Sequence, residues 1–233
     1  MSFFDIATAS TTTILRGGLG MSTRSVGPRP EQNLEIYEFE GCPFCRKARE
    51  ALSILDLEAD VKPCPKRGSR FRDPLVERGG KAQFPYLIDP NTGKEMYESG
   101  DIVDYLFAQY GSGPAPAALR GGAIATLAVV ASGVGRGKAG SFMRPSKAPA
   151  KPLELFSFEA SPFCRLVRET LCELELPYLL HNVAKGSARR DAFVELSGKM
   201  QVPYLVDPNT GIEMFESADI IAYLEATYGL AGD

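Results

Sequence analysis

The chain has no tryptophan among its 233 residues, a single histidine and only five cysteines: Cys42, Cys45, Cys64, Cys164 and Cys172. Five cysteines spaced so unevenly exclude a secreted disulfide scaffold. Only Cys42 and Cys45 form a close pair, no second pair completes a zinc ribbon, and the lone His181 cannot fill the gap, so no metal site is expected. The longest uncharged apolar stretch, Gly121 to Gly135, is shorter than the ~18–20 residues that cross a bilayer and is diluted by Gly and Ser, so no transmembrane span is expected. Neither sign of charge dominates: 26 Lys and Arg face 29 Asp and Glu. A whole-surface field for nucleic acid is therefore excluded. With 44% hydrophobic and 24% charged residues, this is an ordinary globular composition, sufficient for one large domain or two small ones.

What the sequence does contain is a duplication. The run from Leu34 through Cys42-Pro43-Phe44-Cys45 to Arg46 recurs from Leu153 through Ser161-Pro162-Phe163-Cys164 to Arg165, 119 positions later. Phe84-Pro85-Tyr86-Leu87 returns as Val202-Pro203-Tyr204-Leu205, each followed by a hydrophobic residue and Asp-Pro-Asn-Thr-Gly. Glu98-Ser99-Gly100-Asp101-Ile102 returns as Glu216-Ser217-Ala218-Asp219-Ile220, and both copies close on Tyr-Gly. Two domains are expected, at 31–111 and 153–230, with an arm at 1–30 and a Gly/Ala/Pro-rich linker at 112–152.

Each copy predicts the order β-α-β-α-β-β-α. Leu34, Ile36 and Phe39 alternate as a short strand, as do Leu153, Leu155 and Phe158. Cys-Pro or Ser-Pro opens a helix, with proline where its missing N–H costs nothing. Ala48, Leu52 and Leu55 form an apolar stripe on that helix, matched by Val167, Leu171 and Leu174. A second strand follows near Ala59–Val61 and Tyr178–Leu180, then a basic turn and a helix near Phe71–Arg78 and Ala188–Ser197. Pro-Tyr-Leu starts a strand, Asp-Pro-Asn-Thr-Gly turns it into a hairpin, and Ser99 and Ser217 are the expected N-caps of the last helix. Uncharged helices are expected over Ile6–Leu15 and Ala123–Val134. They are read either as part of the duplicated unit or as a targeting remnant and a linker.

This order, with Cys-x-x-Cys at the first helix and proline opening the third strand, resembles the thioredoxin superfamily, closest to glutaredoxins and glutathione-transferase N-terminal domains. The fold class expected is α/β, two tandem thioredoxin-like domains. The tandem arrangement resembles chloroplast proteins of plants and algae, which implies the stroma or another reducing compartment. The oligomeric state is open.

In the first copy the free N–H groups at the helix start and the helix dipole favour a Cys42 thiolate, with Arg46, Lys47 and Arg49 adding positive charge. Cys42 is the expected nucleophile and Cys45, one turn later and facing inward, the resolving thiol. The resemblance implies a cis-proline at Pro85 that presents the backbone of Phe84 to a cysteinyl unit, and a glutathione cradle of Glu98, Ser99 and Asp101. From the basic cluster Lys66, Arg67, Arg70 and Arg72, Arg70 is expected to take the glycine carboxylate. Cys64 reads as an exposed or incidental loop thiol.

The second copy replaces the nucleophile with Ser161 and cannot run a dithiol cycle. Cys164 and Cys172 read as core residues, while Val202, Pro203, Glu216 and Ser217 keep the binding boxes. Glutathione binding, a structural role and a transferase-like Ser161 hydroxyl remain open there, and a chain that ends soon after the final helix weighs against the last. The expected activity is a glutathione-dependent thiol–disulfide oxidoreductase, with glutathione as co-substrate and glutathionylated or disulfide-containing proteins as partners. The alternatives are a non-catalytic scaffold that binds glutathione or an iron–sulfur cluster, and transferase-like activity.

Overall fold

In the computed structural model, residues 3–120 and 136–230 are described, and the helix expected over Ala123–Val134 lies outside them. The described chain begins with α1 (Phe3–Leu15) and then builds the first unit: β1 (Leu34–Glu38), α2 (Pro43–Ile54), β2 (Ala59–Pro63), α3 (Arg72–Gly79), β3 (Tyr86–Asp89), β4 (Lys94–Met96) and α4 (Ser99–Tyr110). The second unit repeats it as β5 (Leu153–Ser157), α5 (Pro162–Glu173), β6 (Tyr178–Asn182), α6 (Arg190–Ser197), β7 (Tyr204–Asp207), β8 (Ile212–Phe215) and α7 (Ser217–Tyr228).

The two units share one sheet, in the order β4-β3-β1-β2-β6-β5-β7-β8. Within each unit the first two strands are parallel and the others antiparallel. The units join where β2 and β6 pair antiparallel, Ala59 opposite Leu180 and Val61 opposite Tyr178. Each unit's exposed strand edge is thereby covered by the other's. One continuous core runs under the helices of both units, from Leu34, Ile36 and Leu52 to Leu153, Leu155 and Val167. Separate clusters on the opposite face lie under Leu75 of α3 and Phe193 of α6.

The strand pattern differs from the expected one at a single step. β1 and β5 end at Glu38 and Ser157, which continue the inward series of Leu34 and Ile36 and of Leu153 and Leu155. Phe39 packs in the opposite-face cluster instead. An acid therefore occupies an inward position where the alternation read a phenylalanine.

Charge fills the seam between units. Glu40 receives Arg168 Nε at 3.0 Å, and Glu159 receives Arg49 Nε at 3.0 Å, so each unit's glutamate is held by the other unit's helix. Arg46–Glu50 and Arg165–Glu169 extend the network at 3.0 Å each, and Arg16 and Arg136 cap it at 2.6 Å on Glu50 and Glu169. The chain segments ahead of each unit cross over. Thr23 N donates to Lys185 O at 2.9 Å and Met143 N to Lys66 O at 3.0 Å. They approach closely because Gly20 and Gly140 are left-handed; a Cβ there would lie 2.9 and 2.8 Å from the Cβ atoms of Glu159 and Glu40. The basic loops complete the exchange. Arg70 Nη1 donates to Glu175 O at 2.6 Å and Arg189 Nη1 to Asp56 O at 2.8 Å, each cation sitting at the C-terminal end of the other unit's first helix.

His181 bridges the same junction, with Nδ1 2.6 Å from Glu58 and Nε2 2.9 Å from Glu154, its ring stacked on Phe156. Burial lowers its pKa, but the two carboxylates outweigh burial and leave it raised. Its stabilising contribution is therefore full below the unfolded value of about 6.5 and is lost as pH rises through the folded value. The melting-temperature gap between wild type and His181→Gln should narrow from pH 6 to 8.5; a gap independent of pH would contradict the assignment. Arg168→Met strands buried carboxylates and should lower stability by about 3–5 kcal/mol in urea unfolding.

Candidate functional site

Cys42 stands at the N-cap of α2 with extended backbone, and its sulfur accepts the Cys45 N–H at 3.3 Å. Pro43 follows at the first helical position, as expected. The thiol is 5% exposed, whereas Cys45 is wholly enclosed, so Cys42 is the one an incoming sulfur can reach. Both are free thiols. The Cys42 pKa is lowered: the hydrogen bond from the Cys45 side chain is the strongest cause, burial opposes it, and the backbone N–H groups of Cys45 and Phe44 add to the stabilisation. Cys45 is pushed well up, by burial first and then by its bond to Cys42.

The arginines read from sequence as thiolate partners do not act that way. Arg46 and Arg49 are buried and committed to Glu50, Glu159, Glu38 and Glu40 in the seam. Hydrogen bonding at the helix mouth, rather than a neighbouring cation, favours the thiolate.

Opposite the thiol, the Phe84-Pro85 bond is cis, as is Val202-Pro203 in the second unit. The Phe84 carbonyl oxygen lies 4.0 Å from Cys42 Sγ. Glu98 and Glu216, not Ser99 and Ser217, occupy the cap positions before the last helices, with φ of +67° and +66°. Such left-handed backbone in a non-glycine residue costs about 1–3 kcal/mol and concentrates at functional sites. Gln83 donates its side-chain amide to Glu98, and Gln201 to Glu216. Ser99 is buried as the first helical residue, and Asp101 is exposed in the same turn. Glu98, Ser99 and Asp101 are thus neighbours on the turn that opens α4.

Arg70 does not join them, being held in the seam by Leu174, Glu175 and Ser146. Arg72 lies on the thiol's side instead. Its guanidinium carbon is 4.4 Å from the centroid of the Phe84 ring, and Nη2 donates to Cys64 O at 3.1 Å. Cys64 is fully buried in the same cluster as Cys42 and Cys45, and burial pushes its thiol up. It is enclosed, not exposed. Arg72 was read from sequence only as one of a basic cluster, and Gln83 was not singled out, although Gln83 and Gln201 stand two residues before the repeated prolines.

In the second unit Ser161 repeats the geometry of Cys42, its hydroxyl oxygen accepting Cys164 N–H at 3.2 Å. Phe163, Gln201, Val202, Pro203, Glu216 and Ser217 line a cavity of about 200 Å³. Cys164 is buried, and so is Cys172, whose sulfur donates to Gly140 O at 3.3 Å. Phe44 and Phe163 are each 42% exposed beside the two helix mouths. Among the described residues no His, Cys, Asp or Glu cluster is arranged to hold a metal ion, and no helix is long and apolar enough to cross a membrane.

The model of the glutathione S-transferase N-terminal domain matches this chain twice, over residues 36–115 and 155–232. A glutathione S-transferase-like protein of Beauveria bassiana is 33% identical over 85 residues, 36% of this chain and 39% of that protein. The chain thus spans well under half of that relative's length. A trimeric glutathione transferase of Leishmania aligns over 87% of this chain and 68% of its own, at 14% identity and a TM-score of 0.32.

The thiol geometry carries a direct test. Iodoacetamide alkylation of Cys42 followed against pH should give a midpoint below the ordinary cysteine value of about 8.5. Cys45→Ala, which removes the strongest stabilising bond, should raise that midpoint. A wild-type midpoint at the ordinary value would contradict the geometry.

Proposed function

The chain belongs to the glutathione S-transferase N-terminal domain family and carries two copies of it, and we propose that the first copy is a glutathione-dependent thiol–disulfide oxidoreductase while the second binds glutathione. The observation that carries this reading is the stabilised thiolate of Cys42 with a fully enclosed second thiol one turn behind it. The thiolate attacks the glutathionyl sulfur of a mixed disulfide, the substrate thiolate leaves, and glutathionyl-Cys42 forms. Cys45 then attacks Cys42 Sγ, leaving a Cys42–Cys45 disulfide and releasing the glutathione thiolate, or a second glutathione attacks the sulfur of the bound glutathione, leaving glutathione disulfide and the Cys42 thiolate. The Phe84 backbone beside the cis-proline offers strand-like hydrogen bonding to a cysteinyl unit. Glu98 offers a carboxylate to the glutathione amino group, while Ser99 and the start of α4 serve its carboxylate.

The second unit's reading rests on the cavity bounded by Phe163, Val202, Pro203, Glu216 and Ser217, which repeats the cradle residues of the first copy. Ser161 can donate a hydrogen bond to a thiolate, the chemistry of a transferase-like site, but cannot form a disulfide. A reducing compartment suits this chemistry, and the chloroplast stroma is the one the tandem resemblance suggests. Glutathionylated or disulfide-bonded proteins are the proposed partners.

Cys42→Ser should abolish reduction of a glutathionylated peptide, whereas Cys45→Ser should retain part of that activity and lose the dithiol route. Full turnover by Cys42→Ser would overturn the proposal. For the second unit, S-methylglutathione at 100 times its dissociation constant should stabilise Cys42→Ser by about 2.7 kcal/mol, and adding Glu216→Ala should reduce that gain.

A further inference from the structure

We propose that Lys66, Arg67 and Lys138, gathered around the Phe142 ring beside the Cys42 helix mouth, dock an acidic segment of the protein whose disulfide the first unit reduces. The inference rests on the oxidoreductase reading of that unit and names the substrate class it selects.

Two distant stretches of chain build the patch. Lys66 and Arg67 stand in the loop after β2, whereas Lys138 and Phe142 belong to the crossing segment ahead of β5. Lys66 N donates to Ser141 O at 2.8 Å and Met143 N to Lys66 O at 3.0 Å, a short parallel pairing that sets Lys66 against Phe142. The crossing segment also ties the patch to the thiol. Gly41, the residue before Cys42, donates its N–H to Gly140 O at 2.9 Å, and a Cβ there would overlap Ser141 Oγ. Lys138 and Phe142 stand two residues either side of Gly140. Farther along the loop, Arg72 donates to Pro65 O and Cys64 O and leans on Phe84, whose carbonyl lies beside Cys42 Sγ.

The Lys66 ammonium, the Arg67 guanidinium and the Lys138 ammonium lie 5.5, 5.7 and 5.9 Å from the Phe142 ring centroid. Three like charges around one ring repel one another, and attraction to the ring offsets part of that cost. All three residues are exposed. The arginines of the seam are matched by glutamates, but among the described residues none of these three cations has a carboxylate partner. They are spread around a ring rather than converging on one point. That arrangement suits several carboxylates along a peptide better than a single small anion.

The second unit has the same frame without the charge. Lys185 N donates to Met21 O at 3.0 Å and Thr23 N to Lys185 O at 2.9 Å, which aligns Ser22 with Phe142, Gly18 with Lys138 and Gly186 with Arg67. Only the lysine at 185 is kept. Gly186 has φ of +88° and Arg67 has φ of +68°. Glycine adopts such left-handed backbone freely, whereas an arginine there is strained. The turn therefore favours glycine, yet the first unit carries a cation at it, beside the one helix mouth that bears a thiol.

An acidic segment near the target cysteine is drawn to this rim during encounter, so more collisions bring its disulfide to Cys42. The gain falls on kcat/KM, and the exchange at sulfur is unchanged.

The test compares two glutathionylated peptides with full-length protein and glutathione. They differ only in the residues flanking cysteine, several Asp and Glu in one and the same number of Asn and Gln in the other. At low ionic strength the acidic peptide should show a kcat/KM about tenfold higher. That preference should fade as salt shortens the screening length from about 30 Å at 0.01 M to about 8 Å at 0.15 M. Arg67→Gly combined with Lys138→Gln should remove most of the preference and leave turnover of the neutral peptide within about twofold. Arg67→Gly restores the residue that the turn favours, so the fold is kept. Equal losses on both peptides would mean that the cations serve glutathione's own carboxylates, and wild type without a preference would mean that they recruit no acidic partner; either result overturns the inference. Should the double variant fail to fold, the salt series on wild type decides, and a preference that salt leaves unchanged overturns it. Wild type that turns over neither peptide would overturn the oxidoreductase reading, and the substrate class with it.

Discussion

The structure depends on two crossed, buried ion pairs, Arg49 with Glu159 and Arg168 with Glu40. Each glutamate precedes a helix mouth by two residues, and each is held by an arginine from the other unit's helix. Removing four such charges from water costs several kcal/mol per ion, a cost offset only when every group finds partners of good geometry. The partners come from both units, with Glu38 on Arg49 and Arg46 and Arg165 beside Glu159 and Glu40, while Arg16 and Arg136 hold the outer glutamates Glu50 and Glu169. Neither helix mouth is therefore assembled by its own copy alone. The joined sheet has the same consequence, since β2 and β6 give each other the hydrogen bonds that an isolated unit would leave open.

On this shared frame the two sites have diverged in few atoms. Both keep the cis-proline, the left-handed glutamate and the glutamine that holds it. They differ at the group on the helix cap, a thiol against a hydroxyl, and at the last residue of the first strand, Glu38 against Ser157. They differ also beside the cis-proline, where Arg72 leans on the Phe84 ring and the second unit has Val202 in place of that ring. On the proposed reading, the divergence separates a site for disulfide exchange from one for binding without covalent turnover. Their common seam is what keeps the two frames alike.

The duplication, the element order, the paired cysteines and the proline and Glu-Ser boxes were legible along the chain, because each depends on neighbours close in sequence. Helix periodicity, turn chemistry and a cap followed by proline are local physics. The roles of charged residues were not legible in the same way. Arg46 and Arg49 read as thiolate partners because they follow Cys42, yet three-dimensional packing turns them toward glutamates from both units. Arg70 and Arg72 are two residues apart in one basic cluster, and only the docking of the second unit sends the first to a helix end and leaves the second beside Phe84. Glu38 was passed over because an acid on an inward strand position breaks the hydrophobic alternation, and only a buried arginine within reach explains it.

Sequence alone thus determined that two copies of one α/β unit exist, that one carries a dithiol and that the other cannot. Those are properties of covalent order and short-range periodicity. Tertiary structure decided which cations are spent on the seam, which carboxylates they meet there and which thiol is enclosed. Electrostatic interactions act through space, and burial strengthens them, so the partner of a buried charge is set by which chain segments the fold brings together.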